Sequence, residues 1–307
     1  MVVSMKNPQP ATRSLQTRIG NITFPAYIPV TTFGKKYPLD DLIRPFLPRL
    51  APAVMVSHHY AKQAKERSNI PMLVDSGGFA SLFKWSTVEE QGGLGVIKLQ
   101  GESEVETITP AAVLTFQEEV ADVAFSLDFP IPPARATEEG ERRMQLTIAN
   151  ALWALNNKRR RDLPLYACIQ GWDVASYRQC AQAYADMNFE GIAIGGLVPR
   201  MHDRELVEEI VKAVRLVIPD KPLHVFGLGQ PGLVKRLFEL GVDSVDSSAY
   251  VKLAADGKGW GSTFTASDLS PLQRMHLAIA NLAVASQRAL PLGFADILFD
   301  SAKARQA

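Results

Sequence analysis

Eight short apolar runs, each closed by polar or glycine residues, constrain this chain more than any other feature. They span residues 26–30, 53–57, 72–75, 123–128, 165–170, 191–195, 223–227 and 242–246. Most are separated by longer segments with helical spacing, at 39–50, 110–121, 138–156, 174–188, 203–217 and 231–240. Pro110 and Pro231 suit a first helical turn, where the missing N–H would have no partner anyway. A repeated strand–helix unit calls for parallel strands joined by right-handed crossovers. Eight such strands predict an α/β fold, the (β/α)8 TIM barrel.

Two stretches exceed the plain repeat. Residues 83–109 hold Gly92-Gly93, Gly95 and the alternating run 96–99, which predicts a hairpin or lid inserted after the third strand. Residues 267–290 read as one long C-terminal helix. The whole of 1–307 is expected to form a single barrel domain.

Apolar residues make up 47% and charged residues 21%, enough for a large core and against general disorder. No apolar run is long enough for a membrane span, and residues 1–16 lack a hydrophobic signal core, so a cytoplasmic protein without membrane contact is expected. Cys168 and Cys180 give no disulfide framework, and no HxH, HExxH or close Cys/His set suggests a metal. Magnesium on two aspartates stays open. The net charge of +1 does not point to nucleic acid, although local clusters matter more than the total. The densest cluster, Lys158-Arg159-Arg160-Arg161, reads as a charged helix end.

In a barrel, function sits at the C-terminal strand ends. Those ends carry Thr31 and Thr32, His58 to Tyr60, Asp75 to Gly78, Asp128, Gln170 and Gly171, Gly195 and Gly196, Phe226 to Gly229, and Asp246 to Tyr250. Three acids sharing a pocket repel one another, which separates their proton affinities. One can then attack while another carries protons, as in retaining glycosyl transfer. Gly227 to Gly232 also fits G-x-G-x-x-G, which keeps a flavin- or nicotinamide-dependent barrel oxidoreductase as an alternative. The plainer reading of that stretch is a tight turn into a helix. Trp172 reads either as a base-stacking ring or as a pocket wall.

Taken together, these segments resemble the tRNA-guanine transglycosylase superfamily over roughly residues 20–261, in the same order. Ile28-Pro29-Val30-Thr31 is similar to its Met-Pro-Val-Gly segment, and Asp75-Ser76-Gly77-Gly78-Phe79 matches its Asp-Ser-Gly-Gly-Phe motif. Leu127-Asp128 and Ile169-Gln170-Gly171 sit where the family reads its base. Gly191-Ile192-Ala193-Ile194-Gly195-Gly196-Leu197, Gly227-Leu228-Gly229-Gln230-Pro231 and Gly241-Val242-Asp243-Ser244-Val245-Asp246 follow the family's later segments.

The resemblance implies exchange of guanine in a nucleic acid for a 7-deazaguanine by a retaining double displacement. It implies Asp246 as nucleophile at C1′ and Asp75 in proton transfer, with Asp243 structural. It assigns substrate binding to Asp128, Gln170, Gly171, Gly195, Gly196, Leu197, Phe226 and Gly227, with Ser76, Gly77 and Gly78 beside the base. An aspartate suits the N1–H and 2-amino donors of guanine, and an amide or backbone N–H suits O6. The target nucleotide must leave its stack to be reached.

Two departures bear on the polymer. The chain reads Ser247-Ser248-Ala249-Tyr250-Val251-Lys252 where the tRNA enzymes carry Pro-Thr-Arg, and it has no cysteine after Cys180 for the family's zinc site. Both are similar to the branch that inserts 7-deazaguanines into DNA. DNA is therefore the expected polynucleotide partner and tRNA the alternative, with no metal and no cofactor. A non-catalytic nucleic-acid-binding paralogue is the third alternative, disfavoured by the presence of both Asp75 and Asp246. The oligomeric state is left open.

Overall fold

Strands buried on both faces need apolar residues on both faces, and the eight runs meet that condition. In the computed structural model they close into a parallel barrel. The structure describes residues 13–32, 38–61, 69–101, 104–133, 138–260 and 268–287. The chain enters through a hairpin, β1 (Ser14–Thr17) and β2 (Gly20–Thr23). The barrel strands then follow in chain order: β3 (Ala26–Thr31), β4 (Val54–Val56) and β5 (Met72–Val74). After an insert formed by β6 (Ser86–Gln91), β7 (Leu94–Gln100) and β8 (Val105–Ile108), the barrel resumes. It continues with β9 (Val123–Phe125), β10 (Leu165–Ile169) and β11 (Gly191–Ile194), and ends with β12 (Leu223–Val225) and β13 (Ser244–Ser247), which pairs back onto β3.

Period-two alternation sorts the side chains. Ala26, Ile28, Met55, Leu73, Val123, Phe125, Tyr166, Cys168 and Ala193 fill the barrel interior. Their neighbours Tyr27, Val54, Val74, Ala124, Ala167, Ile192 and Val245 face outward into the larger core under the helices. The entry hairpin closes the N-terminal end of the barrel with Ile22 and, just beyond it, Phe24. The sequence pattern missed this hairpin.

The helical layer comprises α1 (Pro38–Ile43), α2 (Leu47–Leu50), α3 (His58–Ala61), α4 (Pro110–Val120), α5 (Glu138–Asn157) and α6 (Val174–Gln182). It continues with α7 (Arg204–Val217), α8 (Pro231–Glu239), α9 (Ala249–Ala255) and α10 (Pro271–Ala285). The single helix expected over 39–50 is instead split by a 3-10 turn at Arg44–Phe46. Pro45 and Pro48 explain this, because each lacks an N–H and crowds the preceding turn. α10 starts later than expected, at a capping box in which Ser270 and Gln273 satisfy each other's backbone N–H groups. Residues 288–290 of the expected helix lie outside the described residues.

The insert is a three-stranded antiparallel sheet rather than a hairpin. It is packed down, not open like a lid. Val88, Ile97 and Ile108 share an apolar cluster with Leu127, Phe129 and Leu146. Asn150 of α5 clamps Gly95, accepting from its N–H (2.9 Å) and donating to its carbonyl (3.0 Å). The insert thus borders the segment that carries Asp128.

Candidate active site

Each C-terminal strand end delivers its polar residues to one mouth. Asp75 leaves β5, and its Oδ1 accepts backbone N–H groups of His58 (3.0 Å) and Gly77 (2.9 Å). Burial is the largest influence on this carboxyl and raises its pKa to about 6 against those two hydrogen bonds. The charges of Asp246 and Asp128 raise it further. Gln117 of α4 fixes the strand ends beneath, donating to the carbonyls of Val74 and Phe125 (both 2.9 Å).

Asp128, 5% exposed, is gripped on both oxygens. Ser76 Oγ donates to Oδ1 and Gln170 Nε2 to Oδ2, each at 2.6 Å. Burial raises this carboxyl above the usual range, opposed by those two donors. Gln170 is fully buried, and its Oε1 has no hydrogen-bond partner among the described residues. The Ser76 hydroxyl also accepts from Gly78 N–H (3.0 Å). A side chain at Gly78 would meet Asp128 at 2.1 Å, so glycine is needed for this close approach.

Asp246 faces inward from β13 and is 7% exposed. Its Oδ1 accepts from Gly227 N–H (3.1 Å) and contacts His224 Nε2 (3.0 Å). Gly227 adopts φ +77°, where a side chain would be strained and would meet Val198 at 2.5 Å. The G-x-G-x-x-G turn therefore aims its first N–H at a carboxylate. A phosphate cradled there would face that negative charge, so the turn does not serve as a phosphate loop.

The remaining expected residues fall around these acids in different roles. Phe226 lies over the barrel interior against Phe125 and His224, with ring centroids 5.0 and 4.8 Å away. Gly195 already uses its N–H on Ile169 O, and its carbonyl accepts from Tyr177 (2.8 Å). Gly196 O accepts from the buried Arg200 (2.6 Å), which also binds Ile131 O and Trp172 O. Arg200 thus ties together three mouth loops and is invisible to motif reading. Leu197 is fully buried, and Gly171 abuts the first turn of α6 at Ser176 and Tyr177. Trp172 packs against the core as a wall residue. Thr31 and Thr32 are bound by Asp40. The side chains of His59 and Tyr60 lie outside the described residues.

Other expectations resolve structurally. Asp243 sits at the opposite end of the barrel, bound to Arg215 (2.6 Å) and Leu223 N–H (2.8 Å). In the basic cluster, Lys158 pairs with Glu190 (2.7 Å), and Arg160 donates to the carbonyls of Glu118 and Ala121. The chain's residues do not fit a three-cysteine zinc site. It has two cysteines, both fully buried, and burial pushes both thiols up, Cys180 to about 12.

Sequence reasoning also missed His224 and Ser244. A usable signal existed: His224 shares the inward parity of Phe226, and Ser244 that of Asp246.

The chain is similar to known proteins. The family model described as queuine tRNA-ribosyltransferase matches residues 11–268. A tRNA-guanine(15) transglycosylase of Methanosphaera stadtmanae is 28% identical over 258 residues, covering 82% of this chain and 36% of the relative. The Pyrococcus furiosus protein of the same name is 28% identical over 190 residues, covering 60% and 29%. That of Methanocaldococcus jannaschii is 33% identical over 165 residues, covering 52% and 25%. The chain spans about a third or less of the length of these relatives.

Proposed function

The chain belongs to the queuine tRNA-ribosyltransferase family, and from that premise we propose that it is a base-exchange glycosyltransferase. It replaces guanine in a polynucleotide by a 7-deazaguanine. The observation that carries this is the set of three mouth acids that, among the described residues, have no arginine or lysine partner, one of them with an oxygen that no described donor reaches.

In the first displacement Asp246 Oδ2 bonds to C1′ while the C1′–N9 bond breaks. The electron pair passes to guanine, and protonated Asp75 supplies the proton guanine takes up. In the second, ionised Asp75 takes the N–H proton of the incoming base as its nitrogen bonds to C1′. The C1′–Oδ2 bond breaks and its electrons return to Asp246. Two inversions keep the sugar configuration. A carboxyl with a pKa of about 6 can serve both halves near neutrality.

Asp128 and Gln170 read the base, one accepting its N–H donors and the other meeting its polar edge. Gly195, Gly196 and Leu197 border it, and Phe226 and Gly227 line its slot. Ser76 holds Asp128, and Gly77 and Gly78 let a flat ring approach. Exposed Phe79, Phe83 and Trp85, with ring centroids 6.0 and 5.2 Å apart in sequence, offer flanking bases a stacking surface.

The relatives' names favour tRNA as the polymer. DNA is the second reading, favoured by the Ser247–Lys252 segment that replaces Pro-Thr-Arg. Labelled-guanine exchange on bulk tRNA and duplex DNA in parallel, followed by nucleoside mass spectrometry, separates them. Incorporation into one polymer, lost in Asp246→Ala, is expected. Polynucleotide binding without exchange into either would make the chain a non-catalytic paralogue.

A further inference from the structure

One polar column stands inside an otherwise apolar barrel. His224 of β12 is fully buried between Phe125 and Phe226, with ring centroids at 5.4 and 4.8 Å. Its Nδ1 lies 2.8 Å from Ser244 Oγ and its Nε2 3.0 Å from Asp246 Oδ1. β12 and β13 lie side by side, with His224 level with Ser244. Burying an imidazole and a hydroxyl here is costly unless both are satisfied, and each satisfies the other.

In a neutral imidazole the two ring nitrogens take opposite roles. With Nε2 donating to the Asp246 carboxylate, Nδ1 accepts from the Ser244 hydroxyl. Oδ1 thus receives two donors, His224 and Gly227 N–H, from one side. Among the described residues no donor reaches Oδ2. Tyr27 and Asp75 are titratable groups that also feel this carboxylate.

We infer that His224, oriented by Ser244, is a positioning residue for the nucleophile. This rests on the base-exchange reading and adds to it. His224 holds Asp246 in one rotamer with Oδ2 towards C1′. In the covalent intermediate Oδ1 becomes the ester carbonyl oxygen, still within reach of both donors. When the second displacement returns the electron pair to the carboxylate, the same donors stabilise the charge as it reappears. A histidine N–H does this without the permanent cation an arginine would place beside a nucleophile.

The test uses full-length His224→Leu, His224→Gln and Ser244→Ala in the polynucleotide exchange assay, with thermal melts to confirm folding. His224→Leu is expected to lower kcat about 10²-fold with KM nearly unchanged, the size of a lost charge-stabilising donor. His224→Gln, which can present a donor to Oδ1, should recover most of that loss. Ser244→Ala should cost about tenfold alone and nothing more in the His224→Leu background, because coupled residues are not additive. Nitrogen-15 NMR of the histidines should show His224 with Nε2 protonated and Nδ1 bare. Full activity in folded His224→Leu, no rescue by glutamine, or an Nδ1-protonated His224 would overturn the inference. Failure of the wild-type chain to exchange guanine in any polynucleotide would instead overturn the reading on which it rests.

Discussion

The two ends of the barrel use the same residue type in opposite ways. At the N-terminal end Asp122 meets Arg18 (2.9 Å) and Met72 N–H (2.9 Å), and Asp243 meets Arg215 and Leu223 N–H. Each acid there is paired with a guanidinium and pins the start of a neighbouring strand. At the mouth Asp75, Asp128 and Asp246 have no arginine or lysine partner among the described residues. They are held by backbone N–H groups, a serine, a glutamine and a histidine. The first arrangement locks a charge in place as structure. The second leaves the charge uncompensated and therefore available, at a cost in stability.

Substitutions should break this contrast in opposite senses. Asp246→Asn should reduce exchange by at least about 10⁴-fold, as expected for loss of a nucleophile, while melting near the wild-type temperature. A deep loss of stability there would mean that Asp246 belongs with the structural acids. Asp243→Ala should do the reverse. It leaves the partly buried Arg215 without its carboxylate and the Leu223 N–H without its acceptor, and is expected to cost about 1–3 kcal/mol in a denaturant titration. Unchanged stability would remove the distinction between the two ends.

Asp75→Asn should lower exchange by about 10²–10⁴-fold, the usual worth of an acid–base group. Its effect on stability carries a definite sign. The folded-state pKa of about 6 lies above the ordinary carboxylate value of 3.8. The native state therefore binds more protons between those values, and stability falls as pH rises through that window. Asp75→Asn removes this loss, so its melting temperature should exceed wild type above pH 6 and the gap should close below pH 4. The two half-reactions sharpen the same point. Guanine release, which needs protonated Asp75, should slow as pH rises through about 6, and base incorporation should speed up. The smallest effect is expected at the exposed Arg161, in the segment leading into β10 at the structural end. Arg161→Ala should leave exchange and its salt dependence unchanged.

The barrel was legible because its strands are apolar on both faces and end in polar residues. The entry hairpin was not, since Gly20-Asn21-Ile22-Thr23 exposes three of four residues and carries little apolar signal. β8 escaped for the same reason, with Val105-Glu106-Thr107 all exposed. The acids of the mouth could be found one by one, because each ends a run. Their partners could not. Ser244, His224 and Asp246 become a column only when β12 and β13 lie side by side, and Arg200 joins loops that are 69 and 28 residues away in sequence. Register between strands, rather than composition within them, decides those contacts.

In the proposed reaction Asp246 bonds to the sugar. The most direct measurement is peptide mass spectrometry on the wild-type chain, quenched with acid during turnover on the polynucleotide that supports exchange. A pentose-linked adduct on Asp246 that is absent from Asp246→Asn is expected. An adduct on Asp75, Asp128 or Asp243, or undiminished exchange by Asp246→Asn, would contradict it.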